Sequence, residues 1–231
     1  MPSSFSQLMI SGTVEGYPRD FEVTQLNKMA MLPIVSLEDI PTRLIPCDQL
    51  RSQKPIDKTA VHFYKNDEKF SSTVLSPLKW VHRLQEYDAV FTPDFTVGMQ
   101  MGLGQRIQNT YFSRQIGAVW SSRGLTVIPS LRWTGPADYE FVMEGIPVGT
   151  VFAVSAHGSF KDPVKRSIFE TGLKHMIFNL EPAGVIVYGK IAPAFQAEMQ
   201  LLTDIHLFPS SGWPPPFAPP LIASEGSHPL F

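Results

Sequence analysis

Residues 150–188 read TVFAVSAHGSFKDPVKRSIFETGLKHMIFNLEPAGVIVY and predict one complete strand–helix–strand unit. Residues 150–154 form a nearly all-apolar strand of the kind that is covered on both faces. Apolar side chains then recur with helical spacing, at Ile168, Phe169, Leu173, Met176, Ile177 and Leu180. Residues 181–184 contain a proline and end the helix before the buried strand at residues 185–188. A helix between two strands predicts parallel pairing, because an antiparallel hairpin needs only a short turn.

The same alternation continues on both sides of this unit. Further strands are predicted near residues 43–45 and at 60–64, 89–91, 125–128 and 205–208. Further helices are predicted after Pro77, at residues 105–121, from Asp138 and at 194–202. These repeated strand–helix units predict an α/β fold with a mainly parallel sheet, either doubly wound or a reduced, barrel-like (β/α) arrangement. We favour the barrel-like form because consecutive units look alike.

Length and composition predict one folded core with extensions. The chain has 231 residues, of which 43% are hydrophobic and 17% charged, so it can bury a sizeable core. We expect an irregular N-terminal lead-in packed on the core at residues 1–58, an α/β core domain at 59–208 and a proline-rich tail at 209–231. Its formal charge of −2 supplies no global field that would attract nucleic acid.

The single cysteine and the N-terminal sequence predict the compartment. Cys47 has no partner for an intramolecular disulfide, which fits a reducing environment. Residues 1–20 lack the charged start and apolar run of a signal peptide, and no apolar stretch approaches the length of a membrane span. We therefore expect a soluble protein of the cytoplasm with no membrane partner.

Polar side chains gather where the predicted strands end. In parallel α/β folds these carboxyl ends meet at the crevice that binds ligands. The candidate catalytic residues are Asp94, His157 and Lys190, and the candidate ligand-binding residues are Asp67, Asp94, Arg114, Arg132, Trp133 and Tyr188. Acid–base groups together with cations suit a small anionic or polar ligand. Each residue also has a structural interpretation, such as a turn cap, an ion pair or an ordinary surface charge.

Arg114 continues the inward stripe of its predicted helix, which also contains Ile107, Tyr111 and Ala118. An arginine that points inward needs a partner, because an unpaired buried charge is very costly. We expect Arg114 to be buried against a carboxylate, with Asp94 as the first choice. The pair would either fix the helix or contact a ligand.

Several motifs are absent from the sequence. It contains no phosphate-loop pattern, no dinucleotide glycine fingerprint, no serine elbow and no two-histidine zinc helix. Asp67, Asp94 and His157 are possible metal ligands, but three ligands on separate loops carry no spacing signature. We therefore predict no cofactor and no metal.

The proline-rich tail carries apolar anchors at Trp213, Phe217 and Leu221. A polyproline-like segment is already extended, so docking it costs less entropy than ordering a flexible chain. We expect these three residues to bind a surface, either of the chain's own domain or of a partner protein.

An ordered series of short motifs resembles a known family. The motifs are His62-Phe-Tyr with Asp67 and Phe70, Thr92-Pro-Asp-Phe-Thr96, Asn109-Thr-Tyr-Phe-Ser-Arg114 with Gly117, Gly124-Leu-Thr-Val-Ile-Pro129 with Trp133, and Pro182 with Val187-Tyr-Gly189. Together they resemble domain-of-unknown-function family 4417, which is found in bacteriophages, plasmids and other bacterial mobile elements. The resemblance covers about residues 60–190 and implies a phage or mobile-element origin in a host cell cytoplasm, but no particular reaction.

Three functions follow from these features. A non-catalytic role in binding a host or virion protein is favoured, because the tail is anchored and no known catalytic motif is present. The alternative is an accessory enzyme that acts on a small polar or phosphorylated compound at the strand ends. A nucleic-acid role in replication is third, and the slightly acidic composition weighs against it. A deep pocket lined by the candidate residues would favour the enzyme.

Overall fold

The computed structural model describes residue 8, residues 11–50 and residues 57–210 of the chain. The strands are β1 (Arg43–Pro46), β2 (Thr59–His62), β3 (Ala89–Phe91), β4 (Val127–Ile128), β5 (Ser130–Leu131), β6 (Phe152–Ser155), β7 (Gly184–Tyr188) and β8 (Asp204–Phe208). The helices that follow β2 are α1 (Ser72–Leu75), α2 (Leu78–Leu84), α3 (Leu103–Ser121), α4 (Tyr139–Met143), α5 (Pro163–Leu180) and α6 (Pro193–Met199). No helix among the described residues has the length and apolar character needed to cross a bilayer.

Both sheets are entirely parallel and follow chain order. One sheet has the order β1-β2-β3-β4 and the other β5-β6-β7-β8. The predicted α/β class with parallel pairing is confirmed. A doubly wound sheet reverses its strand order at a switch point, and neither sheet contains such a reversal.

Pro129 separates the two sheets within what is otherwise one continuous strand. It has no N–H to donate to a ladder, so the pairing changes there. Before it, the Thr92 N–H donates to the Ile128 carbonyl over 3.0 Å. The Pro129 carbonyl itself accepts from the Ala153 N–H over 2.8 Å. β4 thus pairs with β3, while β5 pairs with β6. The sequence predicted a single strand at residues 125–128 and no change of pairing partner after it.

Alternation along the strands divides the core into one inner cluster and two outer ones. The inner cluster contains side chains from both sheets. Its strand residues are Leu44, Ala60, Phe91, Ile128, Ala153, Ile186 and Phe208. The neighbouring strand residues face outward into the helices, with Val61, Val90 and Val127 in one cluster and Phe152, Val154, Val185 and Val187 in another. A single inner cluster fed by both sheets is the arrangement of a (β/α) barrel.

Ring contacts across the interior support the barrel-like form. His62 ends β2 and Tyr188 ends β7, and their ring centroids lie 4.6 Å apart. In an open sheet these strands would be separated by roughly 19 Å, since neighbouring strands lie about 4.8 Å apart. The sheets therefore curve until the two residues meet. Among the described strands no ladder joins β8 to β1, so the ring is open at that seam.

The helix α5 begins earlier than its apolar stripe. The Asp162 carboxylate accepts from the backbone N–H groups of Val164 and Lys165, and Pro163 occupies the first turn. An aspartate cap followed by proline is a strong helix start, because both satisfy groups that the first turn leaves unpaired. The helix stops where predicted, with Glu181 in a left-handed conformation before Pro182. The helix predicted at residues 194–202 ends at Met199 instead.

Part of the lead-in contacts the outer side of the second sheet. Met29, Ala30 and Leu32 are buried in the same cluster as the core of α5. The Leu32 N–H donates to the Gly145 carbonyl over 2.9 Å, which attaches this segment to the loop after α4.

Gly172 on α5 lets the helix approach Trp133, and we predict that Gly172→Ala destabilises the protein. A methyl group at this position would overlap the Trp133 indole nitrogen. Overpacking costs about 1–3 kcal/mol, which exceeds the gain of about 1 kcal/mol that alanine brings to a helix. Gly104→Ala on α3 is the control, since no atom lies within 4 Å of its added methyl group. Urea unfolding should show a lower free energy of unfolding for Gly172→Ala but not for Gly104→Ala. Equal stability of the two variants would contradict this packing.

Candidate functional site

A cavity of about 870 Å³ opens at the carboxyl ends of the strands. Seven of the eight strands, all except β4, contribute to its lining. The residues are Asp48 after β1, Lys65 after β2, Asp94 after β3, Arg132 after β5, Ser155 in β6, Tyr188 in β7 and Ser210 after β8. Its volume is typical of small-molecule sites. The barrel-like closure creates this cavity, because only a curved sheet brings its first and last strands to one opening.

Asp94 and Arg132 form an ion pair in the cavity wall. The Arg132 guanidinium lies 2.9 Å from the Asp94 carboxylate. Asp94 is 7% exposed, and its burial raises the pKa of the carboxyl above the ordinary value, although Arg132 partly offsets this. The Arg132 side chain remains 43% exposed. Asp94 thus combines a buried acid–base group with a place in the cavity wall.

Arg114 is buried as expected, but its predicted partner is wrong. Its guanidinium donates to the backbone carbonyls of Glu144 (3.2 Å), Ser130 (3.4 Å) and Val142 (2.8 Å). Burial lowers the pKa of Arg114 to about 10, and the Glu144 charge works in the opposite direction. Arg114 therefore joins α3 to α4 and the loop that follows it. Arg132, and not Arg114, forms the ion pair with Asp94.

Two tyrosines and a histidine form a stack at the base of the cavity. The Tyr64 and Tyr188 rings are stacked, with centroids 5.1 Å apart and planes 25° apart. Tyr64 accepts a hydrogen bond from the Ser130 hydroxyl over 3.1 Å, and Tyr188 donates to the Ser210 carbonyl over 3.2 Å. His62 is buried against both rings. Both phenol hydroxyls are thus engaged within the protein.

Trp133 and Phe169 form an apolar wall on the other side of the cavity. Their rings are stacked, with centroids 5.9 Å apart and planes 19° apart. The Trp133 indole N–H donates to the Ile168 carbonyl over 3.1 Å. The two side chains are 9% and 7% exposed, so the wall offers the cavity a small apolar surface and no free indole donor.

Hydrogen bonds to α3 and the β2 loop hold the segment that follows β3. The Thr96 N–H and hydroxyl both donate to the Asp67 carboxylate over 3.0 Å. The Asn109 side chain on α3 donates to the Thr96 carbonyl over 2.6 Å. Asp67 thus positions the loop that contributes Val97 to the cavity, and does not itself line the cavity.

Cations outnumber carboxylates in the cavity lining. Four lining residues are Lys or Arg, namely Lys65, Lys69, Arg132 and Lys165, whereas two are acidic, Asp48 and Asp94. Lys65 forms a long ion pair with Asp48 over 3.7 Å, and Lys165 forms one with Asp162 over 3.8 Å. Within the described part of the chain, Lys69 forms no ion pair. The excess of positive charge favours an anionic ligand.

The structure brings together most of the residues that the sequence suggested. Asp94, Arg132, Trp133, His157 and Tyr188 all line the cavity. Lys190 is exposed and outside the lining. Trp213, Phe217 and Leu221 lie outside the described residues.

Sequence reasoning missed several lining residues, at Asp48, Tyr64, Lys65, Lys69, Lys165 and Phe169. The first two turns of α5 carry two of them, and in a strand–helix unit those turns lie beside the carboxyl end of the preceding strand. That position in the sequence would have identified both as candidate lining residues. Tyr64 was predicted as the last residue of the strand at residues 60–64, whereas β2 ends at His62. No group of three or more potential metal ligands occurs among the described residues.

Comparisons with known proteins support the resemblance seen in the motifs. A family described as a domain of unknown function, DUF4417, matches residues 23–206. The chain belongs to this family. The match extends beyond residues 60–190 and includes part of the lead-in.

Two phage proteins are relatives of this DUF4417 member. It is similar to the Gene 1 protein of Mycobacterium phage D29, with 30% identity over 75% of this chain and 68% of that protein. It is also similar to the Gene 1 protein of Mycobacterium phage L5, with 33% identity over 57% of this chain. The chain spans 58% of the L5 protein. No solved structure matches it significantly. The chain is thus a phage-type protein of a family of unknown function.

Burial of His62 predicts a pH-dependent stability. Burial, with a smaller contribution from Lys65, lowers the pKa of His62 from 6.5 to about 3. Between these values the unfolded chain binds a proton that the folded chain does not. The free energy of unfolding should therefore decrease as the pH falls through this window, by about 1.4 kcal/mol per pH unit.

Urea titrations of the wild type and of His62→Phe across that window check this expectation. Phenylalanine keeps a ring beside Tyr64 and Tyr188 but cannot bind a proton, so the variant should lose that part of the slope. His82→Phe at an exposed position should keep it. Parallel slopes for the wild type and His62→Phe would contradict the expectation.

Replacement of Arg114 by methionine keeps much of its volume but leaves two buried carbonyls and one partly buried carbonyl without this donor. We expect a loss of at least about 3 kcal/mol in the free energy of unfolding, since each stranded acceptor costs about 1–3 kcal/mol. Arg123→Met, at an exposed position after α3, is the control and should change stability little. Urea unfolding at neutral pH measures both. A loss below about 1 kcal/mol for Arg114→Met would show that these bonds contribute little.

Proposed function

We propose that the chain is an accessory enzyme that acts on a small phosphorylated compound bound in the strand-end cavity. The observation that carries this proposal is that Asp94, Arg132 and His157 line one cavity of about 870 Å³. The comparisons assign no reaction, so the support comes from the chemistry of the lining. This geometry favours the second of the three functions inferred from the sequence.

The cationic rim supports a phosphorylated ligand. Lys65, Lys69 and Lys165 surround the opening, and their ammonium groups act as flexible point charges that suit phosphate oxygens. Arg132 differs, because its guanidinium already binds Asp94. The lysines therefore supply the positive charge that binds the ligand. Lys69 can do so without breaking an ion pair, because it forms none within the described residues.

Asp94 supplies the acid–base group of the proposed enzyme. Its raised pKa follows from burial, and a carboxyl whose pKa lies nearer to neutrality transfers protons more effectively than an ordinary surface aspartate. Arg132 holds the carboxylate in one position and stabilises its charged form. His157 is exposed at the same cavity and provides a second group able to exchange a proton.

The interaction with a host or virion protein stays a prediction. It rested on the proline-rich tail, and residues 211–231 lie outside those the structure describes. The cavity residues belong to the core and give the enzyme hypothesis independent support.

Calorimetric titration with phosphorylated probes tests the proposed site. Ribose 5-phosphate and a nucleoside monophosphate should bind, and Lys69→Ala should weaken binding about 5- to 10-fold, equivalent to ~1–1.4 kcal/mol. Lys190→Ala is the matched control, because Lys190 is an exposed lysine that also follows a strand, β7, but lies outside the cavity. It should leave the affinity unchanged. Equal losses in both variants would indicate general surface charge, and no binding of any probe would contradict the proposal.

A further inference from the structure

We infer that the ligand of this cavity carries a planar aromatic ring joined to its phosphate, the chemistry of a nucleoside monophosphate. This inference rests on the proposed function and specifies its substrate class. It comes from two kinds of side chain that line one cavity, aromatic rings and cations.

Apolar residues from neighbouring elements contribute to the cavity lining. They come from β5, β6, α5 and the segment after β5, and they are Leu131, Trp133, Val154, Ile168 and Phe169. Leu131 and Val154 are almost completely buried, so the accessible part of this surface belongs to Ile168 and to small areas of Trp133 and Phe169. A ligand made only of sugar and phosphate would leave that part against water or hydroxyl groups and would gain nothing from its burial. The surface therefore calls for an apolar part of the ligand.

The shape of this surface selects a planar group. Trp133 and Phe169 are stacked nearly parallel, and the bond from the Trp133 indole to the Ile168 carbonyl fixes the orientation of the indole. Gly172 allows α5 to pack directly behind the indole. A rigid aromatic platform with no free donor recognises the face of a ring by stacking.

A second aromatic pair lies elsewhere in the same lining. Tyr64 and Tyr188 are stacked, and their hydroxyls are engaged by Ser130 and Ser210. Both tyrosines thus present ring surface and commit their polar ends within the protein. Aromatic surface from two separate pairs is more than a purely aliphatic ligand would use.

Two of the four lining cations lie on a different element from the apolar wall, whereas Arg132 lies between two wall residues and Lys165 lies on α5 itself. Lys65 and Lys69 follow β2, on a loop that contributes no residue to the wall, and the adjacent Asn66 also lines the cavity. An uncharged aromatic ligand would leave this side without a partner. A ring joined to a phosphate satisfies both sides at once, with the ring on the wall and the phosphate toward the lysines.

Four probes separate the contributions of ring and phosphate. Calorimetry on the full chain compares adenosine monophosphate and uridine monophosphate with ribose 5-phosphate, which lacks the ring, and with adenosine, which lacks the phosphate. At least one monophosphate should bind about tenfold or more tightly than both fragments. The relative affinities of the two monophosphates show whether the site prefers a purine or a pyrimidine ring. This comparison uses only the wild type, so it holds even if a variant fails to fold.

Two substitutions on α5 localise the effect. Phe169→Leu removes an aromatic ring from the wall, whereas Phe178→Leu removes one from the same helix at a position that is 81% exposed. The first should weaken monophosphate binding about tenfold while leaving the affinity for ribose 5-phosphate unchanged. The second should change neither affinity.

The outcomes separate this inference from the proposed function. Ribose 5-phosphate that binds as tightly as the monophosphates, with a loss in Lys69→Ala, would overturn the aromatic inference and leave the phosphate site standing. Adenosine that binds as tightly as its monophosphate would overturn the phosphate site. A single-stranded tetranucleotide that binds more tightly than either monophosphate would overturn the small-ligand assignment in favour of nucleic acid. Absence of binding by every probe would overturn both.

Discussion

The burial of the inner face of both sheets in one apolar cluster is the constraint on which this structure depends. Parallel strands joined by right-handed crossovers carry their helices on one face, so the opposite face needs another cover. Here the sheets curve around that face, and Leu44 at one edge shares a cluster with Phe208 at the other. This curvature also brings His62 to Tyr188 and the ends of seven strands to one cavity. The site is therefore a direct consequence of how the core is closed.

The protein handles its buried charges in two different ways. Arg114 donates one hydrogen bond from each guanidinium nitrogen to a backbone carbonyl, which neutralises no charge but gives every nitrogen a partner. Asp94 instead binds an arginine that stays partly in water. A pair with one exposed member costs less desolvation than a fully buried pair. Asp94 can thus keep a raised pKa at the cavity wall without destabilising the core as an unpaired carboxylate would.

The arrangement of α3 links this core to the site. Arg114 on its inner side holds the α4 loop, and Asn109 one turn earlier holds the segment after β3 through Thr96. Arg106, a further turn back, pairs with the buried Asp138 over 2.9 Å. Asp138 in turn accepts from the Thr134 N–H beside Trp133. One helix therefore fixes two walls of the cavity, and rigid walls favour a preorganised site.

The sequence by itself determined the order and type of the main elements and the strand-end position of the candidate residues. Apolar alternation and helical spacing are local properties, and they located β3 at residues 89–91 and the end of α5 at Leu180. The tertiary structure alone decided which charges meet. Arg114 and Arg132 both lie near the Asp94 region in the fold, and only the geometry assigns Arg132 to Asp94 and gives Arg114 to the carbonyls. Pairing depends on distances between segments far apart in the chain, which no local pattern records. For the same reason, the change of pairing at Pro129 and the selection of His157 over Lys190 for the cavity lining became visible only once the sheets had closed.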